Sequence, residues 1–193
     1  MPTVPAGLSA ALLALALVAG DASAQGWRER LQQARQASRE PATQPPQLPA
    51  GTRALVDIAY GDDARQRFDA YLPARPVPGA PVILFVHGGG WANGNKDNPG
   101  VVEGKAGQWL PKGSVLVSTN YRLRPATAPL DQARDVARAL AQVQRLAPDW
   151  GADPARVVLM GHSAGAHLAA LVGASPALWR EAGARPPLGV GAL

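Results

Sequence analysis

Residues 156–171 constrain this chain more than any other stretch. Arg156 precedes the apolar run Val157-Val158-Leu159-Met160, which meets Gly161-His162-Ser163-Ala164-Gly165 and then Ala166-His167-Leu168-Ala169-Ala170-Leu171. An apolar strand that passes through Gly-x-Ser-x-Gly straight into an apolar helix has no room for an ordinary loop. A turn this sharp forces its central residue into a strained backbone conformation and lifts that side chain clear of the sheet. Glycines are expected at 161 and 165 because a Cβ at either point would strike the neighbouring strand and helix. Ser163 is the residue so presented, and its hydroxyl is a nucleophile by type.

The rest of the chain supplies a sheet for that turn to stand on. Residues 82–86, 115–117 and 157–160 are continuous apolar runs. Runs without polar alternation belong to strands buried on both faces, as in a parallel sheet between helices. Residues 130–146 set Ala133, Val136, Ala137, Leu140 and Val143 at helical spacing, with Asp131, Arg134, Asp135 and Arg138 placed for weak contacts one turn apart. Upstream, residues 54–60 and 67–72 form a predicted hairpin around Gly61-Asp62-Asp63. Asp149, Asp153 and Pro154 are expected in the loop before the third run. After the turn come a helix over 164–172, a stop at Ser175-Pro176, a loop over 181–187 and a further parallel strand from Leu188. Strand–helix–strand alternation of this kind predicts a doubly wound, mostly parallel α/β sheet.

With 193 residues, 47% of them apolar and 17% charged, the chain fits one domain with a substantial core. It has no cysteine, which excludes disulfides, cysteine catalysis and thiolate metal sites. Residues 8–19 form an apolar stretch broken only by Ser9 and are followed by Ala22-Ser23-Ala24, so residues 1–24 read as a secretory signal peptide cleaved after Ala24. The expected location is therefore secreted or periplasmic. The apolar stretch is shorter than the roughly 20 residues a membrane span needs. Residues 25–51 are polar and rich in proline, a spacer before a folded domain over 52–193. The formal charge of +5 comes from scattered arginines without aromatic interleaving, so no nucleic-acid partner is expected.

Acyl transfer through a serine needs donors for the oxyanion that forms. His87-Gly88-Gly89-Gly90-Trp91 follows directly on the run ending at Val86, and a glycine run at a strand's carboxyl end can turn its N–H groups inward unobstructed. The stretch matches neither a phosphate-binding P-loop nor a dinucleotide fingerprint. His162 and His167 are five residues apart on different helix faces, so no metal site is expected there.

Together the HGGGW segment, Asn120-Tyr121-Arg122-Leu123, Asp153-Pro154-x-Arg156 and GHSAGAHL resemble α/β-hydrolase esterases of the hormone-sensitive-lipase-like group, closest to the feruloyl/acetyl-xylan esterase branch. The resemblance runs from about residue 55 to residue 193. It implies Ser163 as nucleophile and the N–H groups of Gly89, Gly90 and Ala164 as the oxyanion hole. It makes His87 and Gly88 structural at the site, with Gly161 and Gly165 at the turn. Trp91 and Tyr121 line the acyl pocket or pack beneath it. The implied substrate is a small ester, and no cofactor is needed.

In this fold the acid and then the histidine of the triad follow the serine. After Ser163 the chain holds one acid, Glu181, and one histidine, His167. It is therefore expected to be the N-terminal portion of an esterase, truncated after the nucleophile helix. An arylformamidase would carry the same loop and turn, and a non-catalytic remnant would keep the pocket without the base.

Overall fold

The structure is a computed structural model that describes residue 26, residues 44–75 and residues 77–193. The expected signal peptide and most of the spacer lie outside the described residues. The chain divides into two units, 1–39 and 40–193, and every strand and helix below belongs to the second.

Six strands form one sheet in the order β1-β2-β4-β3-β5-β6. They are β1 (Arg53–Ala59), β2 (Arg67–Leu72), β3 (Ala80–Val86), β4 (Val115–Thr119), β5 (Ala152–Gly161) and β6 (Gly189–Ala192). β1 and β2 make the expected antiparallel hairpin, and β2 lies antiparallel to β4. β4, β3, β5 and β6 run parallel to one another. The three apolar runs are thus the adjacent central strands of a mostly parallel sheet.

Alternation along those strands divides the core. Val82, Leu84, Val86, Val115, Val117, Val157 and Leu159 face a large cluster that includes Val136, Leu140, Val143, Leu168 and Val172. These last residues lie on α2 (Pro129–Leu146) and α3 (Ala164–Ala174). Ile83, Phe85 and Leu116 face the other way, against Val102, Ala106 and Leu110, the first two on α1 (Pro99–Trp109). Helices on both faces are what buries strands that carry apolar residues on both sides. A short α4 (Pro176–Glu181) follows α3.

Three local expectations are corrected. α1 was not expected, because Gly104 and Gly107 dilute its apolar pattern. Its start is nevertheless marked by an Asn98 side chain that accepts the Gly100 N–H and by Pro99 at the first helical position. Asp153 and Pro154 lie inside β5 rather than in the loop before it, since pairing with β3 begins at Ala80–Ala152. Asp135 is not a weak surface charge. It is fully buried and takes both forks of Arg122, at 2.8 Å from Nε and 2.7 Å from Nη2, besides the amide of Gln66 at 2.7 Å. Arg134 and Asp131 make the surface pair as expected, at 2.7 Å.

Candidate active site

Register places the three motifs together. Val86 at the end of β3 pairs with Gly161 at the end of β5 on one side and with Thr119 at the end of β4 on the other. The glycine segment, the Ser163 turn and the Asn120-Tyr121-Arg122 segment therefore leave adjacent strands at their carboxyl ends, where open α/β sheets place their ligand crevices.

At the turn, Ser163 has φ 51° and ψ −117° and caps α3. Few non-glycine residues occupy that region, and one that does is held there by its surroundings. Those surroundings are visible. A Cβ on Gly161 would lie 2.3 Å from the Gly165 carbonyl oxygen, and one on Gly165 would lie 2.2 Å from that of Val86 and 2.5 Å from that of His87. The strand and helix are packed main chain to main chain, and the serine side chain is left exposed. Ala164 is buried at the head of α3, where first-turn N–H groups have no intrahelical acceptor and the helix dipole favours negative charge.

The glycine segment is equally determined. Gly89, Gly90 and Trp91 have φ of 119°, 60° and 63°. His87 is fully buried, with its ring stacked on Tyr121 at 4.5 Å and its Nδ1 2.7 Å from the Gly88 carbonyl oxygen. A carbonyl only accepts, so Nδ1 carries the proton. Burial pushes the His87 pKa down to about 4, against the pull of the Gly88 bond, and the charge of Arg65 adds to the depression. The ring is neutral at ordinary pH. Because N–H and C=O are antiparallel in a trans peptide, pinning the Gly88 carbonyl turns the Gly89 N–H away from the ring. The Gly89 carbonyl accepts from Ala92 and Asn93 at 3.2 and 3.0 Å, which turns the Gly90 N–H out of that tight turn. Gly88 lies so close to the serine turn that a Cβ on it would sit 3.3 Å from the Ser163 Cβ and 2.8 Å from His162 Nδ1.

The two pocket candidates separate here. Tyr121 is fully buried and donates its hydroxyl to the His87 carbonyl at 3.0 Å, so it packs beneath the loop. Trp91 is half-buried, its ring edge-on to His167 at 5.6 Å. His162 and His167 are both exposed. Glu181 lies 3.9 Å from Arg134.

Several supporting side chains were not read from the sequence. Gln132, buried on α2, donates to the Trp91 carbonyl at 2.8 Å. Lys96 is buried between Asp57 at 2.9 Å and Asp69 at 2.7 Å; burial alone would lower its pKa, but hydrogen bonds to the two carboxylates leave it raised. Arg65 reaches two main-chain carbonyls of the site. A glutamine on the apolar face of the 130–146 helix and a carboxylate inside the 67–72 strand were the signals available.

Comparison with known proteins agrees with this architecture. A kynurenine formamidase of Danio rerio is 34% identical over 122 residues, covering 63% of this chain and 39% of its own. A probable isoprenylcysteine alpha-carbonyl methylesterase of Arabidopsis thaliana is 38% identical over 114 residues, covering 58% of this chain and 23% of its own. The chain thus spans less than half the length of these relatives. Esterase B from Lactobacillus Rhamnosis superposes with a TM-score of 0.65 at 24% identity, over 92% of this chain and 56% of that one, which shows a shared fold. The family model for BD-FAE matches residues 68–180, more than half of the chain, from β2 through the serine turn to α4. The chain belongs to the BD-FAE family, an α/β-hydrolase family of esterases.

Proposed function

We propose that this chain carries the nucleophile and oxyanion hole of a hydrolase for small feruloyl- or acetyl-type esters. Ser163 Oγ attacks the ester carbonyl, an acyl-enzyme forms with loss of the alcohol, and water releases the acid. The N–H groups of Gly89, Gly90 and Ala164 receive the oxyanion, each worth roughly 3–4 kcal/mol in the transition state. His87 sets the direction of the Gly89 amide and takes no proton, since its ring is buried and its Nδ1 is committed to Gly88. The observation that carries this reading is the strained, exposed Ser163 seated against Gly88.

A fluorophosphonate probe tests it. Stoichiometric labelling of the folded protein at Ser163, absent from Ser163→Ala, is the expected result. A folded protein that stays unlabelled overturns the reading in favour of a non-catalytic remnant. The similarity to a kynurenine formamidase favours a second reading, amide hydrolysis by the same serine. Comparing turnover of methyl ferulate, p-nitrophenyl acetate and N-formylkynurenine separates the two. We also propose export after cleavage behind Ala24, for which the mature protein would begin at Gln25 on N-terminal sequencing.

A further inference from the structure

We propose that Arg65 is a positioning residue for the oxyanion loop, clamping its far end so that Gly88, Gly89 and Gly90 keep their place against Ser163; the catalytic part of this rests on the function proposed above. Arg65 stands in the turn between β1 and β2, two strands away from the loop in the sheet order. Its main-chain N–H is tied to the Asp63 carboxylate at 2.8 Å, which fixes where the side chain departs. From there Nη2 donates to the Gly94 carbonyl at 2.8 Å and Nε to the Tyr121 carbonyl at 3.0 Å. One planar group thus joins the segments leaving β3 and β4. A guanidinium can do this because its N–H groups form a rigid fork, whereas a lysine ammonium is a single point on a flexible stem.

The contact at Gly94 continues to the serine. Gly94 has φ +106°, and a Cβ on it would lie 2.4 Å from His87 Nδ1 and 2.6 Å from the Gly88 carbonyl oxygen. No slack exists at that point, so a shift of Gly94 presses on the hydrogen bond that orients the Gly88–Gly89 peptide. Gly88 in turn lies against His162 and Ser163. Arg65, Gly94, His87 with Gly88, and Ser163 form an unbroken line of contacts. Among the described residues the guanidinium's hydrogen bonds go to two neutral carbonyls. Its charge also works with burial to hold His87 neutral, the state in which Nδ1 donates and Nε2 carries no proton.

The test compares the chain with its Arg65→Met and Arg65→Lys forms by ¹⁵N relaxation. Gly89 and Gly90 amides are expected to fall from order parameters near 0.85 to below about 0.6 in Arg65→Met, with β3 and β5 unchanged and Arg65→Lys in between. Methylguanidinium added to Arg65→Ala should restore part of the loss. On p-nitrophenyl acetate, kcat should drop about tenfold with KM within about twofold, because only the transition state uses the donors. Unchanged order parameters at Gly89 and Gly90 in folded Arg65→Met overturn the clamp. If Arg65→Met does not fold, Arg65→Lys decides by the same readout. A wild-type chain that the fluorophosphonate probe leaves unlabelled counts against the proposed function and leaves the relaxation result to judge Arg65.

Discussion

Gly165→Ala is the sharpest probe of how the serine turn is held. The added Cβ would sit 2.2 Å from the Val86 carbonyl oxygen, 2.5 Å from that of His87 and 2.7 Å from the Val86 carbonyl carbon, where 3.4 Å begins ordinary contact. Relief therefore requires about 1 Å of movement by main chain at the end of a central strand. Overpacking typically costs about 1–3 kcal/mol, and atoms that cannot rotate away place this case at or above about 3. Alanine returns about 1 kcal/mol of helix propensity, leaving a net loss of at least about 2 kcal/mol. For a domain of this size that lowers Tm by roughly 4–8 °C. Gly104→Ala is the control: it is exposed on α1 with nothing within 4 Å, so the same chemical change should stabilise by roughly 0.5–1 kcal/mol. Urea titration of both variants measures the contrast. A Gly165→Ala protein as stable as the wild type would refute the main-chain contact on which the site is built.

Within the glycine loop proposed to hold the oxyanion, Gly89→Ala and Gly90→Ala should differ although both glycines have positive φ. A Cβ on Gly89 would meet the Asn93 carbonyl oxygen at 2.2 Å, whereas Gly90 has nothing within 4 Å, so Gly89→Ala should lose about 10²-fold in kcat and Gly90→Ala under about tenfold. His87 binds its proton less readily folded, near pH 4, than unfolded, near 6.5, so its contribution is complete above about pH 6.5 and is lost as pH falls toward 4. Stability curves of wild type and His87→Asn should therefore converge by about 3 kcal/mol over that interval, and parallel curves would contradict a buried neutral ring. Asp135→Asn leaves Arg122 without its carboxylate; because 31% of the Arg122 side chain is open to water, the expected loss in chemical denaturation is about 2–3 kcal/mol rather than the ~3–5 of a sealed pair.

The sheet's central strands, the hairpin and both helices of the larger core cluster were legible because each follows a local rule: unbroken apolar runs, turn residues between alternating strands, apolar residues at helical spacing. The serine turn was legible for a stronger reason, since Gly161 is required by contact with Gly165 four residues on, although Gly165 itself is required by the Val86 and His87 main chain at the end of β3. What escaped reading depends on partners far along the chain. Asp135 looked like one of four helix charges, and only the folded chain brings Arg122 and Gln66 to it. Arg65 was one of many arginines until the fold set it beside Gly94, 29 residues away. Tyr121 remained open between pocket and packing because its neighbour His87 arrives from another strand. α1 escaped because two glycines blur its period, although Asn98-Pro99 marked its start.

The backbone angles of Ser163 set the interests of durability and chemistry against each other. φ 51° with ψ −117° is territory that glycine enters freely and serine enters under duress. Ser163→Gly should thus melt higher than the parent, by roughly 1 kcal/mol of relieved strain, while losing any capacity to attack an ester. A screen of this protein for thermal tolerance alone would tend to discard the hydroxyl proposed here as its nucleophile.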